Sequence, residues 1–405
     1  MIKIKNDCPC CSAEDVILFH QVKNVPVNSV LNIFSRNEAI QFPRKNISLR
    51  YCAKCGFIYN SEFDPDSVRY SSDCEESQGH SPTFNSFAKN LASELIHKYG
   101  LYRKNIVEIG CGKGEFLKLL VDLGQNRGFG FDPAYVPRQV KQSVTDQIRF
   151  IPDFYSERYA NYYGELICCR MTLEHIYDPA QLLAVVRRSI GDRENTVIFF
   201  QVPNMARILK DCAFEDIYYE HCSYFTPGAL ARLFRSSHFD LLDLKEAYNE
   251  QYILIEARPS RHKTVSCLAL EDDLPSLQDN IKRFQTLFPI TVQYWQTKLD
   301  EIKATGRRAV VWGSGSKGVT FLNILPNSDF IDYVVDINPY RQGTYMAATG
   351  QKIVEPQFLK TYRPDVVIIM NSIYQKEIQK DLQEMQLKPT ILGLGINKHQ
   401  NAGHE

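Results

Sequence analysis

Apolar and polar positions along the chain follow two different patterns. Before residue 66 they alternate in short stretches separated by polar turns, as in Val16-Ile17-Leu18-Phe19 and Ile47-Ser48-Leu49-Arg50-Tyr51. This predicts short strands in a unit too small to bury much core of its own. Beyond residue 100 the apolar runs are nearly continuous and are followed by glycine turns or amphipathic stretches. Asn105–Ile109, Arg127–Phe131 and Glu165–Arg170 read as buried parallel strands of an α/β fold. An amphipathic stretch from Leu274 to Ile302 follows, with Pro289 as the expected break. A second α/β unit then begins, with strands at Arg308–Trp312, Tyr333–Val335 and Asp365–Met370. A chain of 405 residues is too long for one core. The expected division is a metal-binding unit over 1–66, a Rossmann-like core over 67–260, and a second Rossmann-like unit with leading helices over 261–405.

The turn after the first parallel strand carries the most chemistry. Glu108-Ile109-Gly110-Cys111-Gly112-Lys113-Gly114 places an acid at the end of a strand, ahead of a glycine-rich turn and a helix start. A carboxylate there repels a pyrophosphate but can hold a cationic methionine amine. The glycines let backbone approach a ligand without a Cβ in the way. The next strand ends in Asp132-Pro133, about 20 residues after the turn, where an acid accepts ribose hydroxyls. Asp153 and Phe154 follow a third strand, in the region that contacts adenine, and Arg170 closes the fourth. Together these predict a class I fold for S-adenosylmethionine (SAM). The alternatives are another adenine nucleotide, or a turn that binds nothing.

Charge and cysteine usage narrow the picture. Lys+Arg and Asp+Glu balance at 47 each, so no overall field favours nucleic acid or an anionic membrane. Neither a signal-peptide pattern nor a membrane-spanning run is present in the sequence, and cysteines scattered through strands (Cys111, Cys168, Cys169) suit a reducing compartment. A soluble cytoplasmic protein is expected. Two C-x-x-C pairs, Cys8/Cys11 and Cys52/Cys55, read as the halves of one structural zinc site, with Cys10 as the odd thiol out. A redox pair or a nucleic-acid ribbon is the alternative.

The segment Phe214-Glu215-Asp216-Ile217-Tyr218-Tyr219-Glu220-His221-Cys222-Ser223-Tyr224 gathers acids, a histidine and tyrosines. A carbon that accepts a methyl group must lose a proton, and His221 can serve as the base. Tyr218 can donate to an enolate oxygen and Glu220 can bind a hydroxyl or orient the imidazole. The bland alternative is an aromatic helix start with a core histidine.

The order of parts resembles the zinc-containing sugar 3-C-methyltransferases, which methylate carbon 3 of a nucleotide-linked 4-keto-6-deoxyhexose. By that resemblance Tyr218, Glu220 and His221 match active-site residues, and Cys8, Cys11, Cys52 and Cys55 match zinc ligands. Arg170-Met171-Thr172-Leu173-Glu174-His175-Ile176 is similar to a family motif, with Met171 where a histidine is common; His175 is either a second acid/base or a packing residue. Tyr70, Ser77, Gln78 and Ser81 lie in a stretch similar to the loop over the sugar, with Cys74 where a second tyrosine is common. Tyr224 and Asn371 are further candidates for substrate contact. Lys317, in the turn Gly313-Ser314-Gly315-Ser316-Lys317-Gly318, would either meet a phosphate or mark a turn used for packing alone. The resemblance implies a small-molecule nucleotide-sugar partner, no nucleic acid or membrane, and a monomer or homodimer. A non-sugar or hydroxyl acceptor, or a module that binds SAM without turnover, are the rivals.

Overall fold

The computed structural model describes residues 7–69, 71, 73–136, 147–261 and 267–394; Tyr70 and the tail from Lys398 to Glu405 lie outside them. Three sheets organise the described residues. The first begins with β1 (Val16–Pro26), β2 (Arg44–Cys52) and β3 (Ile58–Asn60), paired antiparallel in that order.

The central sheet is built from β4 (Asn105–Ile109), β5 (Arg127–Phe131), β6 (Ile148–Ile151), β7 (Leu166–Arg170) and β8 (Val197–Pro203), all parallel to their neighbours. A two-residue strand, β9 (Ser223–Tyr224), then leaves this sheet and pairs with β3 of the first. β10 (Phe239–Ala247) and β11 (Tyr252–Pro259) return as an antiparallel pair, giving the order β10-β11-β8-β7-β4-β5-β6. From β4 the strand order runs outward both ways, to β5 and β6 on one side and to β7 and β8 on the other, so the switch-point crevice lies at the carboxyl ends of β4 and β7. This is the expected α/β architecture with a class I Rossmann-like core.

The third sheet is wholly parallel, ordered β14-β13-β12-β15-β16. Its strands are β12 (Ala309–Trp312), β13 (Tyr333–Val335), β14 (Lys352–Val354), β15 (Val366–Ile369) and β16 (Thr390–Gly393). The helix leading into it runs unbroken from Leu274 to Ala304, through Pro289, so the expected break is not there. Pro289 is exposed, so the carbonyl that its ring deprives of a partner faces water. Leu277, Ile281 and Phe284 before it, and Trp295, Leu299 and Ile302 after it, bury one face and hold the two halves in line.

One hydrophobic cluster passes from Phe19, Ile47 and Leu49 of the first sheet, through Met205, Phe214, Tyr219 and Tyr224, to Leu299, Val311, Phe321 and Ile368 of the C-terminal unit. The N-terminal strands are therefore clamped between the other two units and share their core. No helix among the described residues is long and apolar enough to cross a membrane.

Candidate active site

The glycine turn after β4 has the form that the sequence suggests. Gly110, Gly112 and Gly114 all hold positive φ, at 68°, 50° and 75°. A Cβ at Gly114 would lie 2.4 Å from the Phe150 ring, and one at Gly110 would lie 2.0 Å from Oγ1 of Thr172. The backbone N–H of Gly112 donates to Oδ2 of Asp132 at 2.9 Å, and that of Ala134 donates to Oδ1 at 2.8 Å. Each carboxylate oxygen keeps a lone pair for a further donor. Glu108 is buried with Oε2 unpartnered. Burial pushes its carboxyl up to about 8, partly offset by the Arg170 guanidinium. A cradle of bare backbone, an acid for hydroxyls and an orphaned carboxylate oxygen fit a cationic nucleoside such as SAM.

The remaining residues expected here take up more varied positions. Pro133 follows Asp132, and the Asp132 N–H donates to Ile151. Asp153 is beside them, its carboxylate engaged by the Tyr159 hydroxyl and the Arg158 guanidinium, and Phe154 is exposed. Arg170 stacks on the Phe116 ring at 3.9 Å and donates through Nε to Gln201 at 2.8 Å.

Between this core and the C-terminal sheet lies a cavity of about 370 Å³. His175, Tyr218, Glu220 and His221 line it from the core, and Lys317 and Asn371 from the other side. Ser77, Gln78 and Ser81 also line it, on a strap that touches both units. Ser77 donates to Glu115 at 2.6 Å, Gln78 accepts from Tyr374 at 3.0 Å, and Ser81 donates to Glu377 at 2.9 Å. Tyr224 is placed otherwise: its ring is in the shared core and its hydroxyl donates to the Tyr218 carbonyl at 3.1 Å.

Tyr218 and Nε2 of His221 share a hydrogen bond of 2.8 Å. Burial, with His175 and the Lys317 charge, holds His221 well below the usual histidine value. His175 is likewise lowered, to about 4, by burial. Its Nδ1 donates to the Glu220 carbonyl at 3.1 Å, and its ring meets that of His221 edge-on at 4.8 Å. The Glu220 carboxylate accepts from the Ser29 N–H at 2.8 Å and the Ser29 hydroxyl at 2.7 Å. Ser29 follows β1, so the N-terminal unit fixes the orientation of Glu220.

Several residues of this wall were not anticipated from sequence. Asp216 pairs with both Arg207 and Lys317. Glu75 receives Asn338 on its carboxylate at 3.0 Å and Arg341 on its carbonyl at 3.4 Å. Glu76 overhangs the first glycine turn, its Oε1 3.0 Å from where a Gly112 Cβ would sit. Glu174, beside His175, is also in the wall. The acids Glu75 and Glu76 were readable as unusual charges in the strap, but their partners are far away in sequence.

In the N-terminal unit the four cysteine sulfurs lie within 4.8 Å of one another. Cys8 and Cys55 are 3.5 Å apart and Cys11 and Cys52 are 3.6 Å apart, and all four are free thiols. Tetrahedral zinc with bonds of about 2.3 Å separates sulfurs by roughly 3.8 Å, so the set fits such an ion.

A family model described as a methyltransferase domain matches residues 84–244. A second, described as a C-methyltransferase C-terminal domain, matches residues 257–390. The chain belongs to the SAM-dependent C-methyltransferases. The C-methyltransferase NovU of Streptomyces niveus is 25% identical to it over 307 residues, covering 72% of each chain. Among solved structures, the 1,6-didemethyltoxoflavin N1-methyltransferase of Burkholderia thailandensis matches at 16% identity. That match covers 45% of this chain and 82% of the other, with a TM-score of 0.35. Magnesium protoporphyrin IX methyltransferase of Synechocystis matches at 12% identity over 44% and 84% of the two chains, with a TM-score of 0.35.

Proposed function

We propose that this C-methyltransferase transfers a methyl group to carbon 3 of a nucleotide-linked 4-keto-6-deoxy sugar, with His221 as the base. The observation that carries this is the wall of Tyr218, Glu220 and His221, which lines one cavity together with Lys317. A 4-ketone acidifies the neighbouring C–H, and neutral His221, bonded to Tyr218, is ready to take that proton. Tyr218 and Glu220 orient and stabilise the enolate, and His175 buttresses the His221 ring. Lys317, at the start of the helix Ser316–Ile324, meets the diphosphate of the acceptor. Ser77, Gln78, Ser81 and Asn371 contact the rest of it.

SAM, when bound, supplies an electrophilic methyl on a sulfonium. Glu108 attracts its amine, Asp132 accepts from its ribose, and Gly110, Gly112 and Gly114 give it room. Cys8, Cys11, Cys52 and Cys55 hold a structural zinc whose binding stabilises the N-terminal unit. Metal analysis should find that zinc, and a chelator strong enough to remove it should melt β1–β3; a metal-free protein with intact strands would overturn the assignment.

The deciding experiment incubates the enzyme with nucleotide-linked 4-keto-6-deoxyhexoses in deuterium oxide, with and without SAM. Deuterium entering carbon 3 without SAM, and a methyl at carbon 3 with it, are expected. Both carbons beside a 4-ketone are acidified, so a methyl at carbon 5 would correct the position. No exchange and no methylation of any such sugar would reject the acceptor class.

A further inference from the structure

Glu174 stands next to His175 on the cavity wall, yet the chemistry described so far gives it no part. It is 1% exposed, and neither carboxylate oxygen has a hydrogen-bond partner. The same holds for Nδ1 of His221, which is buried and unpartnered. Ligand atoms of Glu174, His175 and His221 all lie within 4.8 Å of one another. Two groups that each need a partner thus belong to neighbouring side chains, within reach of a side-chain rotation or one bridging water. Leaving both unsatisfied would cost about 1–3 kcal/mol each.

We propose that Glu174 is a positioning residue for His221, its carboxylate accepting the Nδ1–H either directly or through one water. That contact fixes the tautomer in which Nε2 carries the lone pair, which accepts from the Tyr218 hydroxyl until that hydroxyl turns to the acceptor's oxygen. It also balances the positive charge that forms on the imidazole once the proton is taken. The inference rests on His221 being the base. In the reaction the acceptor C–H bond breaks and its proton passes to Nε2 of His221. The electron pair left on carbon then forms the new C–CH₃ bond while the S–CH₃ bond of the donor breaks, and the imidazolium later gives its proton to solvent.

The groups around Glu174 allow this. His175 is on the same turn; Tyr218, Glu220, His221 and Cys222 come from the segment packed against it, Cys169 from β7 and Tyr252 from β11. Burial raises the Glu174 carboxyl to about 8. The ionised, accepting form therefore grows in as pH rises through that value. His221 stays neutral throughout this range, so the two groups appear as separate limbs of a pH profile.

The test compares wild type, Glu174→Gln and Glu174→Asp by deuterium exchange into the acceptor without SAM and by kcat for methylation, each across pH 6–9. Glu174→Gln should lower both rates ~10- to 100-fold and remove the rise near pH 8, with KM for SAM and acceptor within about twofold. Glu174→Asp should recover part of the rate and restore a rising limb. Unchanged rates and profile in Glu174→Gln, beside an exchanging wild type, would overturn the role of Glu174 alone. A wild type that exchanges no acceptor would instead remove the base itself. A second bound metal that disappears in Glu174→Gln would also overturn it, making the three residues ligands.

Discussion

Gly112 and Ser314 occupy equivalent places in two half-sheets. Each lends its backbone N–H to the acid at the end of the next strand, Asp132 or Asp336, and each does so at 2.9 Å. Past that point the two turns diverge. Asp132 has one backbone donor per oxygen and lone pairs to spare. Asp336 receives the Ser314 hydroxyl and the Asn338 N–H as well, while Arg341 braces Ser314 through its hydroxyl at 2.6 Å and its carbonyl at 2.8 Å. The strand before the first turn brings Glu108, with an unpartnered oxygen; the strand before the second brings Trp312. One backbone device is thus left open in the first unit and filled by its own side chains in the second. The second turn forms part of the cavity wall: Gly318 packs on Gly313, where a Cβ would lie 2.2 Å from the carbonyl oxygen, while Lys317 lines the cavity.

The sharpest way to break this comparison is to exchange the acids for alanine. Asp132→Ala should weaken SAM binding roughly 100-fold by titration calorimetry, as two hydrogen bonds to a charged group are lost. Asp336→Ala should leave SAM affinity within about twofold and lower Tm by several degrees, because Ser314 and Asn338 lose their shared acceptor. Equal losses of SAM affinity would mean that both turns hold nucleoside. Acidity gives the next effect. With Glu108 near 8 in the free protein and ionised against the SAM amine, affinity should fall about 20-fold from pH 7.5 to pH 6. Glu108→Gln should show a flat profile over that range. Lys317→Ala should then raise the acceptor KM ~10-fold with the SAM Kd unchanged.

The smallest effect is on stability. Glu108 and Glu174 stay protonated in the fold well above the pH at which they ionise in the unfolded chain. Their contribution is complete below about pH 4.5 and is lost as pH rises to 8. The SAM-free enzyme should therefore melt a few degrees lower at pH 8 than at pH 6, with SAM recovering the part due to Glu108.

What could be read from sequence was local. The glycine turns, the acids at strand ends, the paired cysteines and the Tyr218–His221 segment each lie within a few residues, and each takes the shape its residues require. The missing pieces join distant segments. Glu75 meets Arg341 and Asp216 meets Lys317 only after all three sheets are assembled. Glu174 reads as an ordinary acid beside His175, and only its burial without a partner sets it apart. Pro289 misled because the local rule for proline takes no account of apolar residues on both sides sharing one core.

The pairing of β3 with β9 has a consequence for how the chain must be made. Ile58 and Tyr59 find their strand partners, Tyr224 and Ser223, only about 160 residues later. At ribosomal rates of about 5–20 residues per second, the N-terminal unit waits roughly ten to thirty seconds with one sheet edge bare. During that interval the edge is open to pairing with any neighbouring nascent chain. An N-terminal fragment expressed alone would keep that bare edge permanently, and a shortened version of this enzyme that is to stay soluble has to include Ser223 and Tyr224.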